Sequence, residues 1–506
     1  MTGTSKAVIE TAHRGLLIAS VVLASLVYAI DWTIAAVALP HMQGTFSATQ
    51  DQVSWALTLY IATGAIMMPT AGWLSSRFGR KRLFVLSIGG FTVFSIFCGA
   101  ADSLTAEVLY RVGQGATGAF LIPLSQSIML DIYPRHQHTR AMAIWGMWIM
   151  LGPIIGPSIG GYLTEIYSWR WIFYLNAPVG ILALAGTVVF LPKTASDLPR
   201  RPFDWIGFIA IACALGAFQL MLDRGQRLDW FDSSEIMIEA AVCAAGLYVF
   251  VAHGLMARAP LVNIRLMRDL NYALGLAIGF LYGVLTLAPI VLMPTFLEDL
   301  KGFPMLDVGL LLTPRGAGLM IAMLAIGRLG GRIDHRLLLA SGFLLFTVSS
   351  WAMSGWNLQV GVWQIVWTGL VQGLGAGMVT VPMNVLTFAT LDPKYRTEAA
   401  SMFNLIRSAG SSIGIAVAVT VVTRMANVNR STLVEHVSPF NELLLAPPGS
   451  GGWGLAGLFD LARLELEIDR QALMVGYIDV FHGFSLAALL AIPVVLFLGK
   501  SRTAEH

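Results

Sequence analysis

The chain has 506 residues, of which 56% carry apolar side chains and only 12% are charged, and its mean hydropathy is +0.71. A water-soluble protein of this length would not tolerate that composition, so the sequence indicates a membrane protein with many spans. The formal net charge of +3 gives no reason to invoke a nucleic-acid partner. Apolar runs of about 20 residues, long enough to cross a bilayer as helix, recur along the whole chain without any alternating barrel pattern.

These runs predict an all-α polytopic protein with fourteen transmembrane helices and both termini on one side. Of the 32 lysine and arginine residues, 21 lie in segments on the N-terminal side and 8 on the opposite side. Both termini are therefore expected to be cytoplasmic. All three cysteines fall within predicted spans, so neither a disulfide nor a metal site is expected. The predicted spans are 15–39, 53–74, 83–101, 106–130, 139–163, 171–191, 204–222, 235–254, 270–297, 305–328, 337–355, 358–390, 397–423 and 475–498.

An internal repeat predicts two halves. "VGQGATGAFLIP", ending at Pro123, is similar to "VQGLGAGMVTVP", ending at Pro382, and "GPIIG" from Gly152 is similar to "GSSIG" from Gly410. Glycine-rich membrane helices can resemble one another by composition alone, but the shared order and nearly equal offset favour a duplication, as in secondary transporters. The predicted domains are a six-helix half at 15–191, two linking helices at 204–254 and a second six-helix half at 270–498.

The first span, "YAIDWTIAAVALP" from Tyr28 to Pro40, carries a carboxylate at Asp31. A charged carboxylate at that depth costs at least about 2.5 kcal/mol on insertion scales, so it points to a proton, an ion or a partner. Asp31 and Arg111 of span 4 lie at similar depths and could meet across the two helices. Proton exchange at Asp31, controlled by Arg111, is the favoured interpretation, and a permanent structural salt bridge is the alternative.

Two glycine-containing motifs indicate helix contacts. "GWLSSRFGRKR" after span 2 carries four basic residues that can meet helix ends, carboxylates and lipid phosphates, although a topology signal alone would also explain them. "AIWGMWIMLGPIIGPSIGG" in span 5 has glycines spaced for close helix packing and a proline that permits a kink. The predicted conformational residues are Gly72, Arg77, Gly79, Arg80, Gly152, Gly156, Pro157, Gly160 and Gly161.

Polar and aromatic residues within the spans are candidates for a substrate cavity. Arg407 in span 13 could face the cavity, pair with a carboxylate or fix the backbone, and the same holds for Arg315 in span 10. Aromatic residues in membrane proteins usually pack against other helices or anchor at the interface, and this is the alternative role for Trp148. The candidates are Gln114, Gln126, Trp148, Gln372, Asn384, Asn404 and Arg407.

Taken together, these motifs resemble the major facilitator superfamily, and within it the 14-helix drug:proton antiporters of the EmrB/QacA type. Ser76 stands where that family usually has an acidic residue, and Ala36 and Ala143 replace a common asparagine and glycine. The resemblance implies a proton-coupled exporter of hydrophobic or amphipathic toxic compounds, with no cofactor beyond the proton gradient. A stand-alone exporter of the same fold for a dedicated metabolite or lipid is the alternative.

The segment 425–474, between the last two spans, is the only long loop on the predicted outer side. Within it, "LFDLARLELEIDRQAL" has apolar residues at helical spacing, which suggests interfacial seating or a protein partner. The resemblance implies a bacterial inner-membrane pump that works with a periplasmic adaptor (EmrA-like) and an outer-membrane channel (TolC-like). A plain extracytoplasmic loop is the alternative.

Other function classes lack their sequence signals. The chain has no HExxH or GxSxG motif, and no intramembrane carboxylate pair is recognised, so no enzyme is predicted. A nucleotide-binding GxxxxGK[ST] loop is also missing, so ATP is not the expected energy source. No separate receptor or signalling domain is found.

Overall fold

The computed structural model describes residues 13–192, 202–257, 260–329, 333–437 and 458–498. These residues form seventeen α-helices and contain no strand. The helices are α1 Arg14–Phe46, α2 Gln50–Met67, α3 Ala71–Phe78, α4 Arg80–Gly99, α5 Leu104–Gly118, α6 Leu121–Ile132, α7 His138–Ile166, α8 Trp171–Tyr174, α9 Asn176–Phe190, α10 Trp205–Arg224, α11 Ser234–Met256, α12 Leu270–Thr295, α13 Met305–Leu329, α14 His335–Ser354, α15 Val362–Phe388, α16 Arg396–Glu435 and α17 Leu458–Leu496.

Thirteen helical segments in the described residues are long and apolar enough to cross a membrane; one of them, Gln52–Phe78, joins α2 to α3, and another, Trp171–Phe190, joins α8 to α9. The predicted span 106–130 is not among them because it is divided into α5 and α6, with Ala119 and Phe120 between the two. Pro123 in the first turn of α6 has no N–H to donate to the carbonyl of Ala119, which explains the interruption of the helical hydrogen-bond ladder. The fourth predicted crossing is therefore made by two shorter helices in sequence.

The helices pack in two groups that meet along a shared interface. In the first group α1 packs against α7 and α9, and α4 against α5 and α9; in the second, α12 packs against α16, α13 against α15, and α17 against α14 and α16. Contacts between α7 and α13 and between α6 and α16 join the groups. The linking helices α10 and α11 pack on each other, and α10 also contacts α2 and α16. The domain boundaries 15–191, 204–254 and 270–498 and the orientation of the termini stay predictions.

The helices on either side of the long outer loop are longer than predicted. α16 continues to Glu435, and the stretch read as an amphipathic helix is the first part of α17, which runs without a break into the last span. Arg430 on α16 is 3.0 Å from Glu465 and 2.6 Å from Asp469 on α17. The structure therefore has two paired helix ends here, and not a separate helix lying along the membrane surface. Residues 438–457 of the predicted segment lie outside the described residues.

Candidate functional site

Asp31 lies inside the first helix group with no solvent exposure. Its Oδ2 accepts a hydrogen bond from Nη1 of Arg111 at 2.8 Å, and its Oδ1 accepts bonds from Nε2 of Gln114 at 3.0 Å and from Nδ2 of Asn176 at 2.7 Å. Charge-assisted bonds of this kind are shorter and stronger than bonds between neutral groups. The structure thus brings Asp31 and Arg111 together as a buried ion pair with two amide donors.

The spacing of residues on α5 explains this arrangement. Glu107, Arg111 and Gln114 follow at intervals of four and three residues, so they share one helix face, which is turned towards Asp31 of α1. Gln114 also accepts a hydrogen bond from Nη1 of Arg111 at 2.9 Å. Asn176, the first residue of α9, completes the cluster. Gln114, predicted as a cavity contact, is therefore a member of the ion-pair cluster.

Glu107 was missed by the sequence reasoning, and the statement that the membrane contains no carboxylate pair is wrong. Glu107 is fully buried, and its Oε1 lies 3.7 Å from Nε of Arg111, so two carboxylates flank one guanidinium. Within the described residues neither oxygen of Glu107 accepts a hydrogen bond. Its position one turn before a membrane arginine was the available signal.

Two aromatic rings complete the surroundings of Arg111. Its Cζ lies 4.9 Å from the ring centroid of Tyr60 and 4.7 Å from that of Phe173. Cation–π contacts at these distances stabilise a desolvated guanidinium. Arg111 is thus held from several sides while it remains between two carboxylates.

A cavity of about 410 Å³ lies between the two helix groups, within the size range of small-molecule sites. Its walls come from α1, α2, α6, α7, α10, α12 and α16 and from the loop after α10. Apolar side chains such as Met68, Ile149, Met150 and Phe218 form much of the lining. Of the seven candidate cavity residues, Arg407 lines this cavity.

Three other candidates form a buried amide cluster behind Arg407. Nε2 of Gln126 donates to Oδ1 of Asn384 at 2.6 Å, and Nδ2 of Asn404 donates to Oε1 of Gln126 at 2.7 Å. Nη2 of Arg407 donates to Oδ1 of Asn404 at 3.3 Å. The cluster joins α6 to α15 and α16 and connects with the cavity through the arginine.

The last two candidates do not line the cavity. Gln372 is buried on α15, and Trp148 on α7 is 38% exposed. Arg315 on α13 donates from Nη2 to the backbone oxygen of Thr286 at 2.9 Å, and Thr286 is a lining residue. Arg315 therefore supports the cavity wall from behind.

The glycines of span 5 face α1 next to the ion pair. A Cβ on Gly152 would lie 2.6 Å from the carbonyl carbon of Ala29, and one on Gly156 would lie 2.3 Å from Oγ1 of Thr33. A Cβ on Gly160 would lie 2.6 Å from Ile34, whereas one on Gly161 would meet nothing within 4 Å. Three of the four glycines thus permit close contact between α1 and α7. The side chain of Pro157 lies outside the described residues.

A further buried carboxylate, Asp131, joins the two helix groups on the predicted cytoplasmic side. Asp131 on α6 is fully buried and is bonded to Nη1 of Arg80 and, at 2.5 Å, to Nη1 of Arg396 on α16. Nη2 of Arg80 also donates to the carbonyl of Pro393 at 3.2 Å. Asp131 therefore links Arg80 of the first helix group with Arg396 of the second.

The other residues of this loop motif have different surroundings. A Cβ on Gly72 would lie 2.9 Å from Cβ of Glu398, so the glycine allows α3 to approach α16 closely. Gly79 separates α3 from α4 with φ of 83°, a conformation that favours glycine. Arg77 is exposed. Gly72 thus adds a close contact between α3 and α16 to the ion pairs of Asp131.

Comparison with known proteins shows the family of this chain. The sequence model of the Major Facilitator Superfamily matches residues 21–415. The chain belongs to this superfamily. Its members are membrane transporters, and the long apolar helices agree with a multi-pass membrane protein.

Several curated relatives within this superfamily match nearly the whole chain. The "Multidrug export protein EmrB" of Haemophilus influenzae is 32% identical over 480 residues, covering 94% of each chain. The "Fatty acid resistance protein FarB" of Neisseria gonorrhoeae is 31% identical over 482 residues, covering 94% of each. EmrB of Escherichia coli K12 is 32% identical over 476 residues, covering 94% of this chain and 93% of the relative.

Two solved structures show the same superfamily fold. The human organic anion transporter MFSD10 superposes with a TM-score of 0.63 at 13% identity, covering 96% of this chain and 99% of that one. The proton:xylose symporter XylE superposes with a TM-score of 0.61 at 13% identity, covering 97% of both chains. At this identity the likeness supports the fold alone.

Proposed function

We propose that this protein exports hydrophobic or amphipathic toxic compounds across the bacterial inner membrane in exchange for protons. The names of the EmrB relatives support multidrug export, and the FarB relative supports substrates that include lipid-like amphiphiles. The observation that carries proton coupling is the fully buried carboxylate of Asp31, held by Arg111, Gln114 and Asn176. Buried ionisable groups at membrane depth mark proton and ion pathways.

The proposed proton step follows from the hydrogen bonds of Asp31. The ionised carboxylate satisfies three donors, whereas a protonated one has one fewer acceptor site and brings a donor of its own. Uptake of a proton removes the negative charge that holds Arg111 and adds an O–H that needs an acceptor of its own, so it weakens the contact with Arg111 and favours movement of the guanidinium away from Asp31. Such a coupling between proton uptake and side-chain movement is what an antiporter needs.

Glu107 supplies the place to which Arg111 can move. Its carboxylate is 3.7 Å from Nε of Arg111 and has no hydrogen bond within the described residues, so it can accept the guanidinium when Asp31 becomes neutral. This exchange keeps the arginine paired throughout, and leaving a buried charge unpaired would cost about 3–5 kcal/mol. Glu107 is thus proposed as the alternate partner of Arg111.

The cavity and the proton site are joined by α1. Tyr28 and Ala29 line the cavity, and Asp31 lies two residues further on. Ala29 also packs against Gly152 of α7. Substrate in the cavity therefore presses on the same helix turn that carries the carboxylate, which provides a path for competition between substrate and proton.

The partner proteins are proposed from the EmrB relatives and from the paired ends of α16 and α17. These ends project beyond the predicted spans on the outer side and expose Leu461 and Leu466. Such a surface suits an EmrA-like periplasmic adaptor, which in turn would reach a TolC-like outer-membrane channel. Co-purification with an adaptor encoded beside this protein's gene would support this part of the proposal.

Inside-out vesicles test the transport proposal directly. The protein is reconstituted with a proton gradient, and uptake of a fluorescent amphipathic drug and proton efflux are recorded together. Drug-dependent proton movement in the opposite direction is expected. Uphill drug transport that is insensitive to collapse of the proton gradient would refute proton coupling, and no transport of any amphiphile in a broad panel would favour a dedicated metabolite as substrate.

A further inference from the structure

The first linking helix forms part of the cavity wall. Phe218, Gln219, Leu222 and Asp223 of α10 line the cavity, together with Gln226 and Trp230 of the following loop. The same helix packs against α2 of the first group and α16 of the second. α10 therefore closes the gap between the two groups and presents a carboxylate to the space between them.

Asp223 has no cationic partner among the described residues. Its Oδ2 accepts one hydrogen bond, from Oγ1 of Thr58 on α2 at 2.9 Å. The adjacent Arg224 is already paired with Glu235 and with Glu239 of α11, the latter at 3.1 Å. The neighbouring positive charge is thus held by two other carboxylates, and Asp223 remains available to a ligand.

The loop after α10 is fixed in place against the second helix group. Nε1 of Trp230 donates to Oγ1 of Thr420 on α16 at 3.1 Å and to Oε1 of Gln226 at 3.3 Å. Asp229 and Trp230 both adopt positive φ, 53° and 54°, although neither is glycine. Non-glycine residues keep this conformation only where their surroundings impose it. The contacts of Trp230 therefore hold the loop that follows Asp223 against α16.

The cavity's other charged lining residue, Arg407, forms no ion pair with Asp223 in this structure. Arg407 bonds to Asn404 and forms no ion pair with a described residue. It also lies thirteen positions before Thr420 on α16, which corresponds to about 20 Å along the helix from the contact with Trp230. The lining of this largely apolar cavity thus carries one carboxylate and one guanidinium, neither of which has an ion-pair partner among the described residues.

We propose that Asp223 binds the cationic group of amphiphilic substrates while their apolar part fills the cavity between α2, α7 and α16. This inference rests on the proposed export function and names one chemical class of substrate for it. The side-chain amide of Gln219 lines the same wall and offers a further polar contact. The linking helices accordingly contribute a specificity-determining residue and are more than a connection between halves.

Two probes of matched size and opposite charge test this proposal. Tetraphenylphosphonium is a cation and tetraphenylborate an anion with the same four phenyl groups. Equilibrium binding of each is measured to the full-length protein in lipid nanodiscs, without a proton gradient, and variants are compared separately for each probe. Because each variant is compared with the wild-type protein for one probe at a time, the difference in lipid partitioning between the two ions does not affect the result.

Asp223→Asn is expected to weaken binding of tetraphenylphosphonium by about tenfold or more, the effect of losing a charge-assisted contact, and to leave tetraphenylborate binding unchanged or tighter. Asp223→Glu should keep the preference, because it retains the charge. Asp232→Asn is the matched control, since Asp232 is an exposed acid close by that does not line the cavity.

Three outcomes would each overturn the proposal. Asp223→Asn could lose affinity for both probes equally, it could keep its affinity for the cation, or the wild-type protein could fail to bind the cation. Binding is measured at equilibrium, so the result does not depend on proton coupling. A protein that binds the cation through Asp223 but shows no proton-coupled transport would refute the proposed function and leave the binding site intact.

Discussion

The substitution Asp31→Asn removes the charge of this side chain and its ability to bind a proton, but nearly preserves its shape. An asparagine has nearly the same size as an aspartate, but its single oxygen replaces two and its amide nitrogen is a donor. In the structure three donors, from Arg111, Gln114 and Asn176, converge on the carboxylate. At least one of these donors must lose its acceptor in the variant.

The size of the effect follows from what remains around Arg111. Removing one partner of a buried ion pair usually costs about 3–5 kcal/mol. Arg111 keeps its 2.9 Å bond to Gln114 and has the carboxylate of Glu107 at 3.7 Å, so both offset part of that loss. We therefore expect a decrease in the free energy of unfolding near the lower end, about 3 kcal/mol, and a protein that still inserts and folds.

Transport should respond far more strongly than stability. The amide cannot carry a proton at any accessible pH, so drug-dependent proton movement in vesicles should vanish while equilibrium drug binding persists. Asp232→Asn is the matched control, because it makes the same substitution at an exposed aspartate outside the ion-pair cluster; it should retain coupled transport. Uphill export with a normal proton counterflow in Asp31→Asn would show that Asp31 is not the proton carrier and that its ion pair with Arg111 is structural.

Three further substitutions test the surrounding machinery. Gly156→Leu should block transport with little effect on drug binding, because the position is in contact with α1, whereas Gly161→Leu should be tolerated because its surroundings are open; equal effects on transport rates would contradict this assignment. Asp131→Asn should open the predicted cytoplasmic side by weakening the contacts to the arginines, and faster labelling of a cysteine introduced at the buried Ser127 would show it. Glu107→Gln should slow coupled transport and change its pH profile while drug affinity stays the same; an unaltered profile would exclude Glu107 as the alternate partner of Arg111.

The general architecture could be predicted because hydrophobic length and charge are local properties of the sequence. Spans of about 20 apolar residues are visible without any knowledge of packing, and the helices of the structure lie where those spans were predicted. The contact between Asp31 and Arg111 could be predicted from their similar depth in the bilayer. Two opposite charges at one depth are expected to pair, because an unpaired charge inside the membrane has a higher free energy than a paired one. The division between α5 and α6 was missed, although Pro123 gave its signal.

The cavity could not be predicted because it depends on which face each helix turns towards its neighbours. Gln126, Asn384 and Asn404 are polar residues in the right helices, yet they satisfy one another and leave Arg407 to reach the lining. Asp223 lies at the end of a linking helix. In the sequence, a carboxylate at such a position is typical of the membrane–water interface and gives no sign of a cavity. Only the packing of α10 between α2 and α16 makes it a cavity residue.

Helix α1 directly connects the cavity with the proposed proton site. Ala29 lines the cavity, Asp31 holds the ion pair, and Thr33 meets Gly156 of α7, all within about 6 Å along the helix axis. At the glycine positions α7 contributes no side chain to the interface, so the Thr33 and Ile34 side chains of α1 lie directly against the α7 backbone and any shift of α1 is felt there. A movement of α1 caused by substrate would change the geometry of Asp31 directly, and protonation of Asp31 would release α1 from Arg111. No long relay of side chains is required, because the two events act on the same two turns of one helix.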